Sequence, residues 1–370
     1  MNKKKILITT DTYFPECNSI TRFLGQLIPE IKEKFEITIL APEIKGKQTK
    51  IPGTKIKILP TIPIKIFNSY ITLKTKQIEQ YVEETDLVFN QTTGPIGKKA
   101  IKTAQKINKP IISYVHNIEW EKAYYSEKKL KWLAQTIIKK HVQNLYNKCS
   151  ILLVPSKETE NILEAHNIPA KKLLIEHGIN TEKFIPPLSK KAAKKHIKIP
   201  ENYKIIGFAG NLGREKDLKT LTKAFINITK KHKNTLLLLV GKEKQKELDK
   251  HIKIIKTGQK QNILPYLQAM DIFVNPSLTQ ISSIATQEAM STGLATITTP
   301  TGILKEYIQD QENGMIFPRG NANILADNLK TLLEKPELIK KLGKKARETI
   351  KEKTQWSETA NKIKRVLEKV

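Results

Sequence analysis

The segment Asn275-Pro-Ser-Leu-Thr-Gln-Ile-Ser-Ser-Ile-Ala-Thr-Gln-Glu288-Ala-Met-Ser-Thr-Gly293 connects a predicted buried strand, Asp271 to Asn275, with a predicted helix that begins near Ser282. Gly293 is a residue type that ends helices, and Leu294 to Thr298 is predicted as the next strand. A strand, loop and helix in this order direct backbone N–H groups and the positive end of the helix dipole toward a ligand above the sheet. The segment therefore predicts a site for an anion such as a diphosphate.

Polar side chains of the same segment suit a sugar nucleotide. Glu288 lies about one and a half turns into the predicted helix, and helical side chains tilt back toward the N-terminus. Its carboxylate is therefore expected to accept hydrogen bonds from a vicinal diol such as a ribose. Gln280 lies in the loop and points into the same space. The helix start provides three further candidate donor-binding residues, Ser282, Ser283 and Ile284.

This segment resembles the donor-binding motif of the retaining GT-B glycosyltransferases of family 4. That motif has Glu, seven residues, and then Glu-Ala-Met-Ala-x-Gly; here Glu288 is the second glutamate and Gln280 stands at the first position. Taken alone, Glu followed by Ala-Met is an ordinary helical sequence. The preceding Pro-Ser loop and the following Thr299-Pro-Thr-Gly302 turn favour the functional interpretation. The resemblance covers essentially the whole chain and is strongest from Lys204 to Pro318.

Length and composition limit the class of protein. The 370 residues exceed one usual core, so two domains are expected. No run of about 18 apolar residues occurs, and the apolar run near Met1 is too short for a signal peptide. Two cysteines, Cys17 and Cys149, provide neither a disulfide framework nor a metal-ligand cluster. We therefore expect a cytoplasmic protein without a metal site.

The formal net charge of +29 has three competing explanations. In the first, the lysines reflect a lysine-rich composition and are scattered on solvated faces. In the second, they attract an anionic membrane surface, at about 1 kcal/mol per basic residue near the surface. The third explanation is nucleic-acid binding, but no zinc finger, aromatic RNA-binding motif or helix-turn-helix accompanies the charge. We expect no nucleic-acid partner.

Short apolar runs alternate with helical stretches along the chain, which predicts an α/β fold with parallel sheets. With the resemblance, the fold is GT-B, in which two Rossmann-like domains have parallel sheets that face an interdomain cleft. Residues 1–184 are assigned to an N-terminal acceptor-side domain and residues 185–355 to a nucleotide-sugar-binding domain. The last helix, 356–370, is expected to pack back onto the first domain.

A second glycine turn, Phe208-Ala-Gly-Asn-Leu-Gly-Arg-Glu-Lys-Asp217, follows a predicted strand. Gly210 allows the backbone to approach a ligand, and Lys216 places an ammonium group on a phosphate. The turn resembles the family's Gly-Arg-Leu-x-x-Glu-Lys motif, whose Arg and Lys hold the donor diphosphate. Asn211 stands at the Arg position here, and Arg214 is the candidate substitute. Gly241 lies after the next strand, in a segment that resembles the family's loop that approaches the sugar.

The first domain has two candidate regions. The loop Thr9 to Ser19 resembles the family's Thr-Asp-x-Phe-Pro-x-x-Asn-Gly loop, and it makes Asn18 and Ser19 acceptor-side candidates. His116 follows a predicted strand, where the family places a histidine near the transferred sugar. A lone histidine is more often structural, and the resemblance reverses that preference. Glu119 and Glu121 are predicted to orient the acceptor hydroxyl.

Two stretches mix apolar and basic residues, Ile62 to Lys74 and Lys128 to Lys140. In the second stretch Leu130, Leu133 and Ile137 share one face of a predicted helix. That face either lies on a bilayer or packs into the core beneath a lysine-rich outer surface.

The resemblance implies transfer of a hexose from a UDP- or GDP-sugar to a hydroxyl acceptor with retained configuration, without a metal or any other cofactor. His116, Lys216 and Gln280 are the predicted catalytic residues. A membrane lipid or lipid-linked glycan is the expected acceptor, and the sequence leaves open a peripheral attachment to the inner face of the cell membrane. Three further functions are compatible with the sequence, namely a nucleotide-sugar-binding relative with little activity, a transferase with a soluble acceptor and, ranked last, a nucleotide-sugar epimerase. Departures from the family motifs at Ser19, Asn211 and Gln280 motivate the first of these.

Overall fold

A computed structural model describes residues 3–16, 18–44, 49–66, 69–72, 75–126, 130–242, 251–279, 281–353 and 355–370. The contacts divide the chain into two compact units. One unit contains Met1–Glu176 together with Ser357–Val370, and the other contains His177–Trp356.

The first unit is built on a sheet of seven parallel strands. These are β1 Lys4–Thr9, β2 Phe35–Pro42, β3 Lys55–Leu59, β6 Leu87–Asn90, β7 Ile111–Tyr114, β8 Ile151–Val154 and β9 Lys171–Leu174. Their order in the sheet is β3-β2-β1-β6-β7-β8-β9. The central strands are largely apolar and buried, as expected when helices cover both faces of a parallel sheet. The helices are α1 Ser19–Ile31, α2 Thr75–Glu83, α3 Pro95–Lys106, α4 Glu119–Ser126, α5 Lys131–Tyr146, α6 Lys157–Ala165 and the last helix of the chain, α14 Trp356–Lys369.

A short antiparallel hairpin interrupts the parallel pattern between β3 and α2. Its strands are β4 Thr61–Ile66 and β5 Ser69–Thr72. The hairpin occupies most of the stretch from Ile62 to Lys74, which has no clear helix or strand period in the sequence.

The second unit contains a sheet of six parallel strands. These are β10 Lys204–Ala209, β11 Thr235–Val240, β12 Ile254–Lys256, β13 Ile272–Asn275, β14 Ala295–Thr298 and β15 Met315–Ile316. Their order in the sheet is β12-β11-β10-β13-β14-β15. The helices are α7 Lys190–His196, α8 Leu218–Thr229, α9 Leu264–Ala269, α10 Ile284–Ser291, α11 Leu304–Tyr307, α12 Ala322–Glu334 and α13 Pro336–Lys353. The two parallel sheets confirm the predicted α/β fold class.

The chain crosses between the units twice, at 176/177 and at 356/357. The predicted boundary at 184/185 therefore lies inside the second unit, because Thr181 Oγ1 donates a hydrogen bond to Gln355 Oε1 (2.9 Å) and Phe184 belongs to that unit's core. Helix α14 lies in the first unit except for Trp356. Thr359 Oγ1 donates to Glu176 O at 2.8 Å.

One group of lysines does not lie on a solvated face, which was one of the three explanations left open by the sequence. Lys194 is buried and its ammonium lies 2.9 Å from Asp271 Oδ2, while Lys190 Nζ donates to Gln268 O at 3.1 Å. Burial lowers the pKa of Lys190 to about 8, partly offset by Asp271. These two lysines of α7 therefore fasten the helix to the end of α9 and the start of β13 and are part of the fold.

Candidate active site

Two loops meet at the carboxyl edge of the second sheet. One follows β10 and the other follows β13, and these strands are neighbours. The N–H of Leu278 donates to the carbonyl of Glu215 at 2.9 Å and joins the loops. Ligands of open parallel sheets bind at this kind of edge.

A pair of glycines brings two backbone segments into contact at the same edge. Gly241 has φ +157°, and a Cβ added there would lie 1.7 Å from the carbonyl oxygen of Gly210. Gly210 has φ +143° and donates its N–H to Val240 O at 2.9 Å. No side chain fits between these segments, so the requirement for glycine is steric.

The turn after Gly210 presents its polar side chains from a short 3₁₀ helix, Arg214–Lys216. Asn211, Arg214 and Lys216 are all half-buried. A Cβ at Gly213 would lie 2.2 Å from Glu215 Oε2, so Gly213 provides room for the Glu215 carboxylate. Lys216 is the last residue of the 3₁₀ helix, and α8 begins two residues later at Leu218.

A buried network of polar side chains fixes the loop before α10. Asn275 Nδ2 donates to Ser283 Oγ (2.9 Å) and Thr286 Oγ1 (3.0 Å), while Ser277 Oγ donates to Asn275 Oδ1 (2.6 Å). Thr299 Oγ1 donates to Ser277 O at 2.6 Å and ties the loop to the end of β14. Since every one of these groups is buried, the network defines one loop conformation.

Helix α10 begins at Ile284, two residues after the predicted start. Ser283 has φ +42° and ψ +46°, which is left-handed and outside the helix. Its hydroxyl donates to Thr286 Oγ1 at 2.7 Å and makes no cap hydrogen bond to the backbone. The first turn therefore begins without a side-chain cap, a geometry that suits an anionic ligand. Ser282 is half-buried and its carbonyl accepts from Gln287 Nε2.

Glu288 lies on α10 as predicted and is fully buried. Its contact with a ribose stays a prediction. Gln280 lies outside the described residues, and its role also stays a prediction.

In the first unit, a carboxylate of the chain itself caps the glycine-containing helix α3. Asp11 Oδ1 accepts from Ile96 N at 2.8 Å, and Asp11 Oδ2 accepts from Gly97 N at 3.3 Å and from Thr92 Oγ1 at 2.6 Å. Burial raises the pKa of Asp11, and these hydrogen bonds lower it. The Asp11 carboxylate therefore occupies the place that an external phosphate would take at the start of α3.

His116 lies two residues beyond β7 and is buried. Its Nε2 is 3.0 Å from Gln91 Oε1, and its ring packs against Phe23 and Tyr114 at centroid distances of 5.0 and 4.7 Å. Gln91 follows β6, the neighbour of β7. This contact with Gln91 holds the orientation of the His116 ring.

The acceptor-side candidates have different environments. Asn18 is the N-cap of α1, where its Oδ1 accepts from Ile20 N (3.0 Å) and Thr21 N (3.1 Å), and Ser19 is exposed in the first turn. Glu119 begins α4, and its Oε1 accepts from Tyr146 OH at 3.4 Å. Burial raises the pKa of the Glu119 carboxyl to about 7, with Tyr146 and Thr93 acting in the opposite direction. Glu121 is half-buried.

The structure gathers the predicted residues into two groups, each within one unit. Gly210, Asn211, Arg214, Lys216, Gly241, Ser282, Ser283, Ile284 and Glu288 lie on or beside the loops of the second sheet's carboxyl edge. Asn18, Ser19, His116, Glu119 and Glu121 follow β1 and β7 of the first sheet. Sequence reasoning assigned no role to Asp11, Gln91, Asn275 or Ser277, although each lies at or just after a strand end, where site residues of α/β folds collect.

Metal-binding clusters and membrane-spanning helices are two further features that would bear on function. In the part of the chain that the structure describes, no group of three or more His, Cys, Asp or Glu residues is placed to hold a metal ion. None of the described helices combines the length and the apolar character needed to cross a bilayer.

Comparisons with known proteins match family models to both halves of the chain. The family described as glycosyl transferases group 1 matches residues 189–349, and glycosyltransferase family 4 matches residues 20–183. The chain is 24% identical to an alpha-monoglucosyldiacylglycerol synthase of Acholeplasma laidlawii over 80% of this chain and 78% of that one. A Streptococcus pneumoniae protein of the same name is 21% identical, over 90% and 79%. Anabaena HepE, solved in complex with UDP-glucose, has a TM-score of 0.81 at 14% identity and covers 99% of this chain and 100% of its own.

Proposed function

Because this chain belongs to the group 1, family 4 glycosyltransferases of the GT-B fold, we propose that it transfers a hexose from a UDP- or GDP-sugar to a hydroxyl acceptor with retained anomeric configuration. The hydrogen bond from Leu278 N to Glu215 O carries the donor side of the proposal. It holds the glycine turn beside the loop that leads into α10, and in this proposal the turn and the helix start bind one diphosphate. The UDP-glucose complex of the similarly folded HepE supports a nucleotide-sugar donor.

The donor diphosphate binds between a cation and a helix start in this proposal. Lys216 contributes its ammonium, with Arg214 as a second cation, and Asn211 contributes an amide. The N–H groups of Ser282, Ser283 and Ile284 face the other phosphate oxygens. These groups stabilise the charge that develops on the leaving diphosphate.

The sugar and the ribose are bound by side chains of the same edge. Glu288 accepts hydrogen bonds from the ribose hydroxyls, and Gln280 contacts the transferred sugar. A glutamine there offers one acceptor and one donor group where the family motif has a carboxylate. Gly241 allows the backbone to approach the sugar.

On the first unit, His116 contacts the hydroxyls of the donor sugar. Glu119 and Glu121 orient the acceptor hydroxyl, and Asn18 and Ser19 belong to the same acceptor-side region. The donor's own phosphate takes the acceptor proton. We propose that this reaction needs neither a metal ion nor a cofactor beyond the nucleotide sugar.

The acceptor in this proposal is a membrane lipid or a lipid-linked glycan. Two relatives whose names specify a glucosyldiacylglycerol product support it. The enzyme would then work at the inner face of the cell membrane without crossing it.

The test is an assay of purified protein with labelled UDP- and GDP-sugars, with diacylglycerol vesicles or soluble glycans as acceptors. Transfer to lipid is the expected result, and Lys216→Ala should reduce turnover at least a hundredfold while the protein stays folded. If the wild-type protein shows no turnover and binds no nucleotide, the proposal is contradicted.

The departures at Asn211 and Gln280 favour a second candidate, a nucleotide-sugar-binding protein with little turnover. Asn211→Arg adds a charged donor worth about 1.5–3 kcal/mol of hydrogen bonding, so UDP affinity should rise roughly tenfold. If Asn211→Arg with Gln280→Glu increases turnover strongly, the native site has lost activity. If turnover falls, the native residues are adapted to their own substrate.

A further inference from the structure

The N-terminal half of α5 exposes a cluster of large apolar side chains. Trp132 is 65% exposed, Ile137 49% and Leu133 38%, and Leu130, just before the helix, is 64% exposed. No residue of the helix before Ile138 is buried. This half of α5 therefore projects from the first unit, and the interpretation of a core-packed helix is wrong for it.

Helical geometry places the exposed residues together. Positions 132, 133, 136, 137 and 140 follow the spacing of one broad helix face. The residues that anchor α5 to the unit lie on the opposite side and nearer the C-terminus, namely Ile138, Val142, Leu145 and Tyr146. Leu130, Trp132, Leu133 and Ile137 are named the α5 patch below.

The charged residues from Leu130 to the end of α5 all have one sign. Residues 130–146 contain three lysines, Lys131, Lys139 and Lys140, and no aspartate or glutamate. Lys131 and Lys140 are exposed, and Lys131 Nζ also lies 5.5 Å from the ring centroid of Tyr124. Apolar side chains with lysines beside them are complementary to a surface that has an anionic outer layer and an apolar interior.

We propose that the α5 patch docks the enzyme on an anionic lipid bilayer, with Trp132, Leu133 and Ile137 entering the interface and the lysines contacting lipid phosphates. A second copy of the chain fits less well. A two-fold dimer through this face would bring the lysines of both copies together in a chain whose net charge is already +29. The inference rests on the proposed lipid acceptor for its purpose.

The position of the α5 patch in the chain links docking to the acceptor side. Segment 116–146 runs from His116 through Glu119 and α4 to the end of α5, and the Tyr146–Glu119 hydrogen bond ties α5 to the start of α4. A bilayer bound by α5 therefore holds the same segment that carries the proposed acceptor residues.

The experiment measures vesicle binding of the full chain. We expect the wild type to co-sediment with vesicles containing phosphatidylglycerol, to bind pure phosphatidylcholine vesicles at least tenfold more weakly, and to lose affinity in high salt. The triple variant Trp132→Ser, Leu133→Ser, Ile137→Ser should lower the partition coefficient at least tenfold. The matched control is Leu188→Ser, Ile252→Ser, Ile324→Ser, three exposed apolar side chains of the second unit, and it should bind like the wild type.

Trp132 supplies a direct signal. The other two tryptophans, Trp120 and Trp356, are 1% and 6% exposed, so a blue shift of emission on adding anionic vesicles reports Trp132 entering an apolar phase. Trp132→Phe should abolish the shift and retain binding.

Three results would overturn the inference: no binding of the wild type to anionic vesicles, undiminished binding of the triple variant, or a dimer in sedimentation equilibrium that the triple substitution dissociates. Calorimetry with UDP and transfer to a detergent-dispersed lipid acceptor test the proposed function separately. We expect the triple variant to retain both activities. Vesicle binding without any transfer would contradict the function and leave the docking surface standing.

Discussion

Gly241 is a residue whose identity is fixed by its neighbour's backbone. A methyl group there would lie 1.7 Å from Gly210 O. Gly241→Ala must therefore displace the ends of β10 or β11, and we expect a loss of about 1–3 kcal/mol in the free energy of unfolding together with at least tenfold weaker UDP binding. Urea unfolding and calorimetry measure the two effects.

The matched control for this substitution is Gly320→Ala. Gly320 also has positive φ, +74°, but a Cβ there meets nothing within 4 Å. It should lose stability only through backbone conformation, about 1 kcal/mol, and retain UDP affinity. Equal effects of the two substitutions on UDP binding would show that the close approach of Gly210 and Gly241 does not shape the donor site.

Glu119 makes the stability of the first unit depend on pH. Burial raises the pKa of its carboxyl from 4.5 to about 7, so the folded state holds the proton more tightly than the unfolded state. The stabilisation is complete below pH 4.5 and is lost as pH rises through 7. Glu119→Gln stays neutral at every pH. The free energy of unfolding of the variant minus that of the wild type should therefore be about 1–2 kcal/mol higher at about pH 8 than at about pH 4.5.

The measurement is chemical denaturation at both pH values, with Glu121→Gln as the control on the same helix. If the difference in the free energy of unfolding between wild type and Glu119→Gln does not change with pH, the raised pKa of Glu119 is contradicted.

At the residue scale, sequence and structure agree where a motif specifies a position and diverge where a partner is remote. Glu288 falls on α10 because its spacing from Gly293 is local. Asp11 lies within a loop motif, but its partners Ile96 and Gly97 are more than eighty residues away. Single-sequence reasoning had no means of joining them.

At the scale of elements, Arg347 connects α13 to two other segments. Its Nη1 donates to Phe184 O at 3.0 Å and to Ser291 O at the end of α10, and its Nη2 donates to Thr181 O at 3.5 Å. A lysine ammonium is a single donor centre on a flexible stem, so it cannot reproduce the spacing of the two guanidinium nitrogens that reach these carbonyls. Arg347→Lys should reduce the stability of the second unit by about 1–3 kcal/mol and increase hydrogen exchange at residues 181–184 and 284–293.

Arg365→Lys, at an exposed position of α14, is the control for the same chemical change. Faster exchange confined to α13 in Arg347→Lys, with α10 protected as in wild type, would show that Arg347 does not hold α10.

The elements themselves were predictable where apolar periodicity was continuous. The predicted strands Asp271 to Asn275 and Leu294 to Thr298 each differ from the observed strands, β13 and β14, by one residue. The start of α10 was displaced because the left-handed conformation of Ser283 depends on Asn275 and Thr286, a tertiary contact. Nothing in the sequence distinguished Lys190 and Lys194 from the other lysines, because Asp271, which interacts with both, lies far along the chain.

At the scale of the whole molecule, the last helix completes the first unit. Ile363 and Leu367 of α14 are fully buried, and Lys4 Nζ donates to Leu367 O at 3.1 Å. Ile363→Ala should therefore cost about 2–5 kcal/mol and loosen β1 and β2, which lie more than three hundred residues earlier.

Hydrogen exchange with mass spectrometry should show reduced protection in 4–42 and unchanged protection in 177–355. Lys362→Ala, at an exposed position of the same helix, should leave both regions as in wild type. Uniform loss of protection across both units would contradict a separate core for the first unit.

The two crossings of the chain, at 176/177 and 356/357, are joined to each other by hydrogen bonds. Within the second unit, Ile179 pairs with Gln355 in a parallel bridge, and Trp356 N donates to Ile179 O at 3.3 Å. Within the first unit, Thr359 meets Glu176. The second unit is thus an insert whose entrance and exit share one seam. A protein engineer can therefore cut the chain at 176/177 and 356/357, bridge Glu176 to Ser357 with a few glycines, and exchange residues 177–356 for the matching unit of a relative.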